Sequence, residues 1–194
     1  ICSKDRKSLR MADSLIIKAS EKKRERDRRR GILNRPVRCM VVGIPNSGKS
    51  TFINCYAKKS LAKTGNKPGV TKGKQWIKAQ KGVELLDTPG VTWPKFDEEI
   101  VGLNLACAGS IKDDIFDPYE LSIYLYERIC KLYPGRIHEV YDISDEDFVL
   151  FIRSFAKKYG CLKSKDNLDE EKAARMLLND FKSGKWGRLS LECV

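Results

Sequence analysis

Residues 41–54 read "VVGIPNSGKSTFIN", and the fold turns on this stretch. Gly43 and Gly48 bracket four residues and are followed by Lys49 and Ser50, the spacing G-x-x-x-x-G-K-[ST] of a phosphate-binding loop. The backbone N–H groups of such a loop turn inward around phosphate oxygens, and the N-terminus of the next helix adds a favourable dipole. The flanks agree with that reading. "VRCMVVG" (37–43) is a short apolar, β-branched run that predicts a buried strand, and a helix is predicted from about Lys49 to Lys59. Lys49 is the candidate to reach the β and γ phosphates, and the Ser50 hydroxyl is the candidate for Mg²⁺.

Two downstream loops narrow the nucleotide. "DTPG" (87–90) closes the apolar run "VELLD". Asp87 stands where a carboxylate would hold Mg²⁺ through water, and the Gly90 N–H where it would sense a γ-phosphate. "PGVT" (68–71) lies between the phosphate-loop helix and the next strand, which places Thr71 to touch Mg²⁺ as a switch residue. Either tetrapeptide alone is weak, because Pro-Gly marks many turns. Together and in this order they select a GTPase over the broader P-loop ATPases, with Lys49, Thr71 and Gly90 as the catalytic set.

Two further positions bear on mechanism. Val91 follows "DTPG" where many GTPases carry the glutamine that orients water, so water must be positioned by other means. Asn46 lies inside the phosphate loop. Its carboxamide either offers an oxygen to a potassium ion beside the phosphates, supplying the charge of an arginine finger, or only shapes the loop.

The whole chain has 194 residues, room for one or two domains, and a net charge of +12. That excess favours a polyanionic partner, nucleic acid or an anionic membrane, over a merely soluble basic protein. There are seven cysteines, irregularly spaced with no C-x-x-C, and one histidine, His138. Those numbers argue against a zinc site or a disulfide framework and fit reduced thiols in a cytoplasmic setting. His138 reads as a surface residue rather than a catalyst. No apolar run reaches the roughly 18 residues of a membrane span, and no basic amphipathic helix carries large apolar anchors.

Along the chain, residues 8–30 predict a helix with Leu9, Ala12, Leu15, Ile16 and Ala19 on one face. Its charged second half is either a solvated face or a binding surface. Residues 62–74 read as a Gly/Pro/Lys-rich loop, 75–80 and 83–87 as strands turning at Lys81-Gly82, and 97–111 as a helix. From Asp117 the texture becomes helical. Asp117 and Pro118 mark one helix start, Ser144 and the acidic residues after it a second, and "NLDEEKAARMLLNDFKSG" a third that stops at Gly184. The tail "KWGRLSLE" is either a short strand or a docking segment. The expected domains are therefore a nucleotide domain over 1–116 and a small all-α domain over 117–194.

The guanine-reading motif N-K-x-D is missing, since Asn66-Lys67 runs into Pro68-Gly69, and no β pattern after Asp87 completes a doubly wound, mostly parallel sheet. The chain begins at Ile1 rather than Met. "ICSKD" resembles a strand end with a Ser-containing base-contact loop, followed by the helix that comes last in an ordinary GTPase. The simplest account is a circularly permuted GTPase whose missing strands and guanine reader lie upstream of residue 1.

The order of base loop, basic linker, "GIPNSGKSTFIN", "AKTGNKPGVT", "QWIK", "LLDTPGVTWPKF" and "VGLNLACAGSIKD" resembles the ribosome biogenesis GTPase A family of circularly permuted GTPases (YlqF/YawG). The resemblance covers nearly the whole chain. It implies hydrolysis of GTP to GDP stimulated by the large ribosomal subunit, dependence on potassium, a role in late assembly of that subunit, and a helical C-terminal domain that contacts rRNA. Residue by residue, Cys2 and Ser3 match the family's base loop, Asn46, Ser47, Gly48, Lys49, Ser50 and Thr51 its phosphate loop, Thr71 its switch, and Gly90 its γ-phosphate sensor. Cys2 stands where an asparagine is common, and the water-positioning histidine of the family lies upstream of this chain. This stretch alone is therefore expected to bind GTP weakly and hydrolyse it poorly. The first basic residues to consider for rRNA are Lys157, Lys158, Lys182, Lys185 and Arg188. A monomer in the cytoplasm is expected, or in the mitochondrion for an organellar relative. Two other readings stay open: an rRNA scaffold gated by nucleotide with negligible turnover, and a potassium-dependent GTPase acting on tRNA.

Overall fold

The computed structural model describes residues 3, 5–59, 62, 73–79, 82–91, 98–111, 115–164 and 167–192. The chain divides into two compact units, Ile1–Trp93 and Pro94–Val194.

The first unit opens with helix α1 (Arg6–Arg29). Asp5 caps it by accepting from the N–H groups of Lys7 and Ser8. Its inward stripe is Leu9, Ala12, Ile16, Ser20 and Asp27, with Ala12, Ser20 and Asp27 buried. Leu15, expected on that stripe, is 58% exposed. The stripe follows the 3.6-residue period from Leu9, and Leu15 falls a step off it.

Strand β1 (Val37–Val41) leads into the phosphate loop, and α2 (Lys49–Ala57) leaves it. Strands β2 (Gln75–Lys78) and β3 (Val83–Asp87) complete a three-stranded sheet in the order β1-β3-β2. β1 runs parallel to β3, so Val41 pairs with Asp87 and both loops emerge at the same sheet edge. β2 pairs antiparallel with β3, and Ala79 N–H donates to the Val83 carbonyl at 2.8 Å where the chain turns. The alternation of β3, with Val83, Leu85 and Asp87 buried, is the period-2 signature of one covered face. Val83, Leu85 and Ile77 pack there with Ile53, Tyr56 and Ala57 of α2. The opposite face carries Met40, Trp76 and Arg38, whose guanidinium lies 5.1 Å from the Trp76 ring and pairs with Glu84.

The second unit contains α3 (Glu99–Cys107), α4 (Pro118–Leu132), α5 (Arg136–Tyr141), α6 (Phe148–Lys158), β4 (Leu162–Ser164), β5 (Asn167–Leu168) and α7 (Glu170–Ser183). Asp117, Asp147 and Asp169 cap α4, α6 and α7, each through its carboxylate. The core gathers Leu125, Ile129, Phe151, Ile152, Phe155, Leu177 and Trp186.

Sequence texture changes at Asp117, whereas the compact unit begins at Pro94. The reason is α3, whose Ala106 and Cys107 enter the helical core. The short β4–β5 hairpin and α5 are elements that the sequence reading does not contain. α6 starts at its Asp147 cap rather than at Ser144. The tail docks rather than forming a strand: Trp186 and Leu191 are buried, Arg136 Nε donates to the Trp186 carbonyl and Arg128 Nε to that of Leu191. His138 is half-buried rather than a surface residue. Its ring meets Tyr126 and Phe151 edge-on, and Nδ1 lies 2.8 Å from the Ile143 carbonyl.

Candidate nucleotide phosphate site

The site forms where β1 and β3 end together. Between β1 and α2 the loop takes two left-handed residues, Asn46 (φ 56°) and Gly48 (φ 84°). Asparagine is among the few side chains that tolerate this region, so Asn46 does shape the loop. Gly48 is the N-cap of α2 and has no side chain of its own, which leaves the first N–H groups of the helix for another acceptor.

Lys49 bends back over its own loop, its Nζ donating to the Ile44 carbonyl at 2.7 Å. Ser47 Oγ donates to the same carbonyl at 2.8 Å. Burial pulls the Lys49 amine below the usual lysine range, and the charge of Asp87 works the other way. An ammonium so placed gains from a phosphate arriving beside it, because the anion replaces lost solvation.

Asp87 is 2% exposed. Its Oδ2 accepts from Ser50 Oγ at 3.3 Å, and its Oδ1 is buried with no hydrogen-bond partner among the described residues. A buried carboxylate oxygen left unmatched is costly. Hard divalent cations take carboxylate and hydroxyl oxygens, so Ser50 with Asp87 fits Mg²⁺. Beside it, Thr88 Oγ1 donates to the Val41 carbonyl at 2.7 Å and ties the two strand ends together.

Gly90 lies against Pro45. A Cβ at Gly90 would come 2.5 Å from both Cα and N of Pro45, so only glycine fits. Val91 N–H reaches the Gly43 carbonyl at 3.3 Å, and its side chain is 73% exposed. The two loops therefore meet as backbone against backbone. Farther along α2, Asn54 holds the root of the next loop by a pair of 2.7 Å bonds, donating to the Ala62 carbonyl and accepting from its N–H.

The structure thus brings together Asn46, Ser47, Gly48, Lys49, Ser50, Thr51, Asp87 and Gly90. Cys2 and Thr71 lie outside the described residues, and Ser3 precedes α1. Thr88, Asn54 and the Pro45–Gly90 approach are not in the sequence reading. The run "DTPG" contained the signal for two of them, since a threonine after a strand-end aspartate has a neighbouring strand carbonyl within reach.

The chain matches the family model described as 50S ribosome-binding GTPase over residues 38–118, from β1 to the start of α4. It is 44% identical over 165 residues to ribosome biogenesis GTPase A of Bacillus cereus, covering 84% of this chain and 56% of the relative. The GNP-bound crystal structure of YlqF from T. maritima superposes with a TM-score of 0.58 at 29% identity, over 80% of this chain and 59% of that one. A GDP-bound YlqF structure gives 0.59, again at 29% identity, over 81% and 60%. The chain belongs to the ribosome biogenesis GTPase A family. It spans less than two thirds of the length of these relatives. The fold is that family's P-loop GTPase domain followed by helices, and the permuted order of α1 before the phosphate loop is consistent with the family.

The five basic residues considered for RNA are not equivalent. Lys158 Nζ is bound to the carbonyls of Tyr141 and Asp142, at 2.8 and 3.1 Å. Lys185 Nζ donates to Asp180 at 2.6 Å and lies 4.9 Å from the Tyr141 ring centroid. The Lys182 stem packs beside Gly109. Lys157 and Arg188 are exposed. Among the described residues no helix is long and apolar enough to cross a membrane.

Proposed function

We propose that the protein binds GTP at this loop, hydrolyses it while docked on rRNA of the large ribosomal subunit late in assembly, and leaves once GDP remains. The observation that carries the reading is the pairing of Ser50 with buried, half-matched Asp87 beneath a lysine-bearing phosphate loop. The family to which the chain belongs supports the ribosomal context.

In this reading Lys49 releases the Ile44 carbonyl and takes the β and γ phosphates, and Ser50, Thr71 and Asp87 would hold Mg²⁺, which would supply positive charge beside the phosphoryl oxygens. Gly90, pressed on Pro45, presents its N–H to the γ-phosphate. Cys2 and Ser3 contact the base. Asn46 offers its carboxamide oxygen to potassium. Asn46→Gly keeps the left-handed turn and removes that oxygen, so the variant should bind GTP yet lose any advantage of potassium over sodium. Lys157 and Arg188 remain the candidates for rRNA contact in the helical unit.

The second reading is a scaffold gated by nucleotide with negligible turnover. It rests on Val91, an exposed aliphatic side chain at the water-orienting position. Sedimentation of the natural full-length protein with large subunits tests the docking step. Retention with a non-hydrolysable GTP analogue and release with GDP is expected, and equal retention in both states would contradict the proposal.

A further inference from the structure

A second charged feature lies in the nucleotide unit, away from the phosphate loop. A groove of ≈ 510 Å³ runs between the start of α1 and the end of α2, lined by Arg6, Leu9, Arg10, Asp13, Cys55, Tyr56 and Lys58. Arg6, Arg10 and Lys58 are exposed, and none has an ion-pair partner among the described residues. Among the described lining residues the one carboxylate, Asp13, accepts from Tyr56 Oη at 2.8 Å. Three cations therefore face one carboxylate that is already engaged. Leu9 and the Tyr56 ring form the apolar floor.

We infer that this groove binds the sugar-phosphate backbone of RNA, with Arg6, Arg10 and Lys58 on phosphates and the Leu9–Tyr56 floor beneath the ribose. The inference rests on the rRNA-docking reading and names where the nucleotide unit makes that contact. A long polyanion suits the site better than an acidic protein segment. The chain carries a net charge of +12, so a partner that gathers charge from many positions at once gains most. Phosphate contacts of this kind position a protein without reading sequence.

Lys58 is the most telling of the three. It ends α2 in the left-handed region, φ 52° and ψ 33°, where glycine or asparagine is preferred. Its backbone N–H and that of Lys59 close the helix on the carbonyls of Asn54 and Cys55. Asn54 in turn holds Ala62, nine positions before Thr71 in the chain. The separation from Lys49 is about 13 Å along α2, so a phosphate on Lys58 does not touch a nucleotide phosphate on Lys49.

The test compares the natural protein with the triple variant R6Q/R10Q/K58G. Lys58→Gly suits its backbone conformation, so loss of fold does not account for an effect. The probe is naked large-subunit rRNA. Binding is measured from about 50 to 200 mM KCl, and Cys55 alkylation is followed by peptide mass spectrometry with and without RNA. The expected result is a salt slope shallower by about two units, near 0.7–0.9 per lost phosphate contact, with Cys55 protected by RNA in the natural protein only. GTP affinity should not change. An unchanged slope with Cys55 unprotected would overturn the inference while leaving rRNA docking intact. Protection of Cys55 by polyglutamate but not by RNA would replace RNA with an acidic protein. Absence of any RNA binding by the natural protein would overturn both.

Discussion

Gly90 is the residue on which the two loops of the nucleotide unit depend. With Pro45 backbone 2.5 Å from where a Cβ would stand, Gly90→Ala must push the loops apart. Because Gly90 is confined to the contact between the loops, the fold should survive. The expected outcome is a small change in melting temperature with loss of discrimination between GTP and GDP, measured by nucleotide competition. Asp87 makes the complementary case. Its Oδ1 is buried without a partner among the described residues, and a neutral amide costs less to bury than a carboxylate. Asp87→Asn should therefore hold or raise the melting temperature without nucleotide, while Mg²⁺ no longer tightens nucleotide binding. Both residues were legible in "DTPG", because a strand-end carboxylate and a loop glycine follow from spacing. The partner of Gly90 was not, because Pro45 lies 45 positions away and only the parallel register of β1 and β3 brings them together.

Among the elements, those with local signals are legible in the sequence and those held by distant contacts are not. The caps of α4 and α7 are written in Asp117 and Asp169, and the stop of α7 in Gly184. α5 is only six residues long and begins at left-handed Gly135, too short to show a period. The tail was ambiguous in sequence because its role is set elsewhere: Trp186 Nε1 donates to Tyr141 Oη at 2.6 Å, and that hydroxyl donates to Asp180 at 2.8 Å. Tyr141→Phe would leave the buried indole N–H unmatched, at a cost of roughly 1–3 kcal/mol. Trp186→Ala should cost more, about 3–5 kcal/mol, through the cavity it leaves. Urea unfolding of both variants checks the order. A Tyr141→Phe variant as stable as the natural chain would show that the network contributes nothing.

At the scale of the molecule, acidic groups in both units are raised by burial. The Cys107 thiol is pushed up to about 12, and the phenols of Tyr56, Tyr126 and Tyr141 are shifted upward from their ordinary value of 10. Raised acids keep their protons in the folded chain while the unfolded chain loses them. Above about pH 9 the folded state therefore binds more protons, and stability falls as pH rises. Thermal unfolding across pH 7–10.5 should show a flat region and then a decline, and Cys107 should resist alkylation at pH 8 until the chain unfolds. The net charge of +12, visible in the sequence, speaks to partners and not to fold. The division after Trp93 was not visible, because α3 looks like part of the nucleotide domain until its packing against the helical core is seen.

If the Ser50–Asp87 loop pair serves a GTP hydrolase acting on the large ribosomal subunit, turnover must answer to nucleotide, subunit and cation together. The most direct measurement is phosphate release by the natural full-length protein from GTP and from ATP, with and without large subunits, in potassium and in sodium. GTP-selective turnover that rises when subunits are added, and rises further in potassium, is the expected result. Tight GTP binding with turnover that stays flat under all four conditions would contradict it.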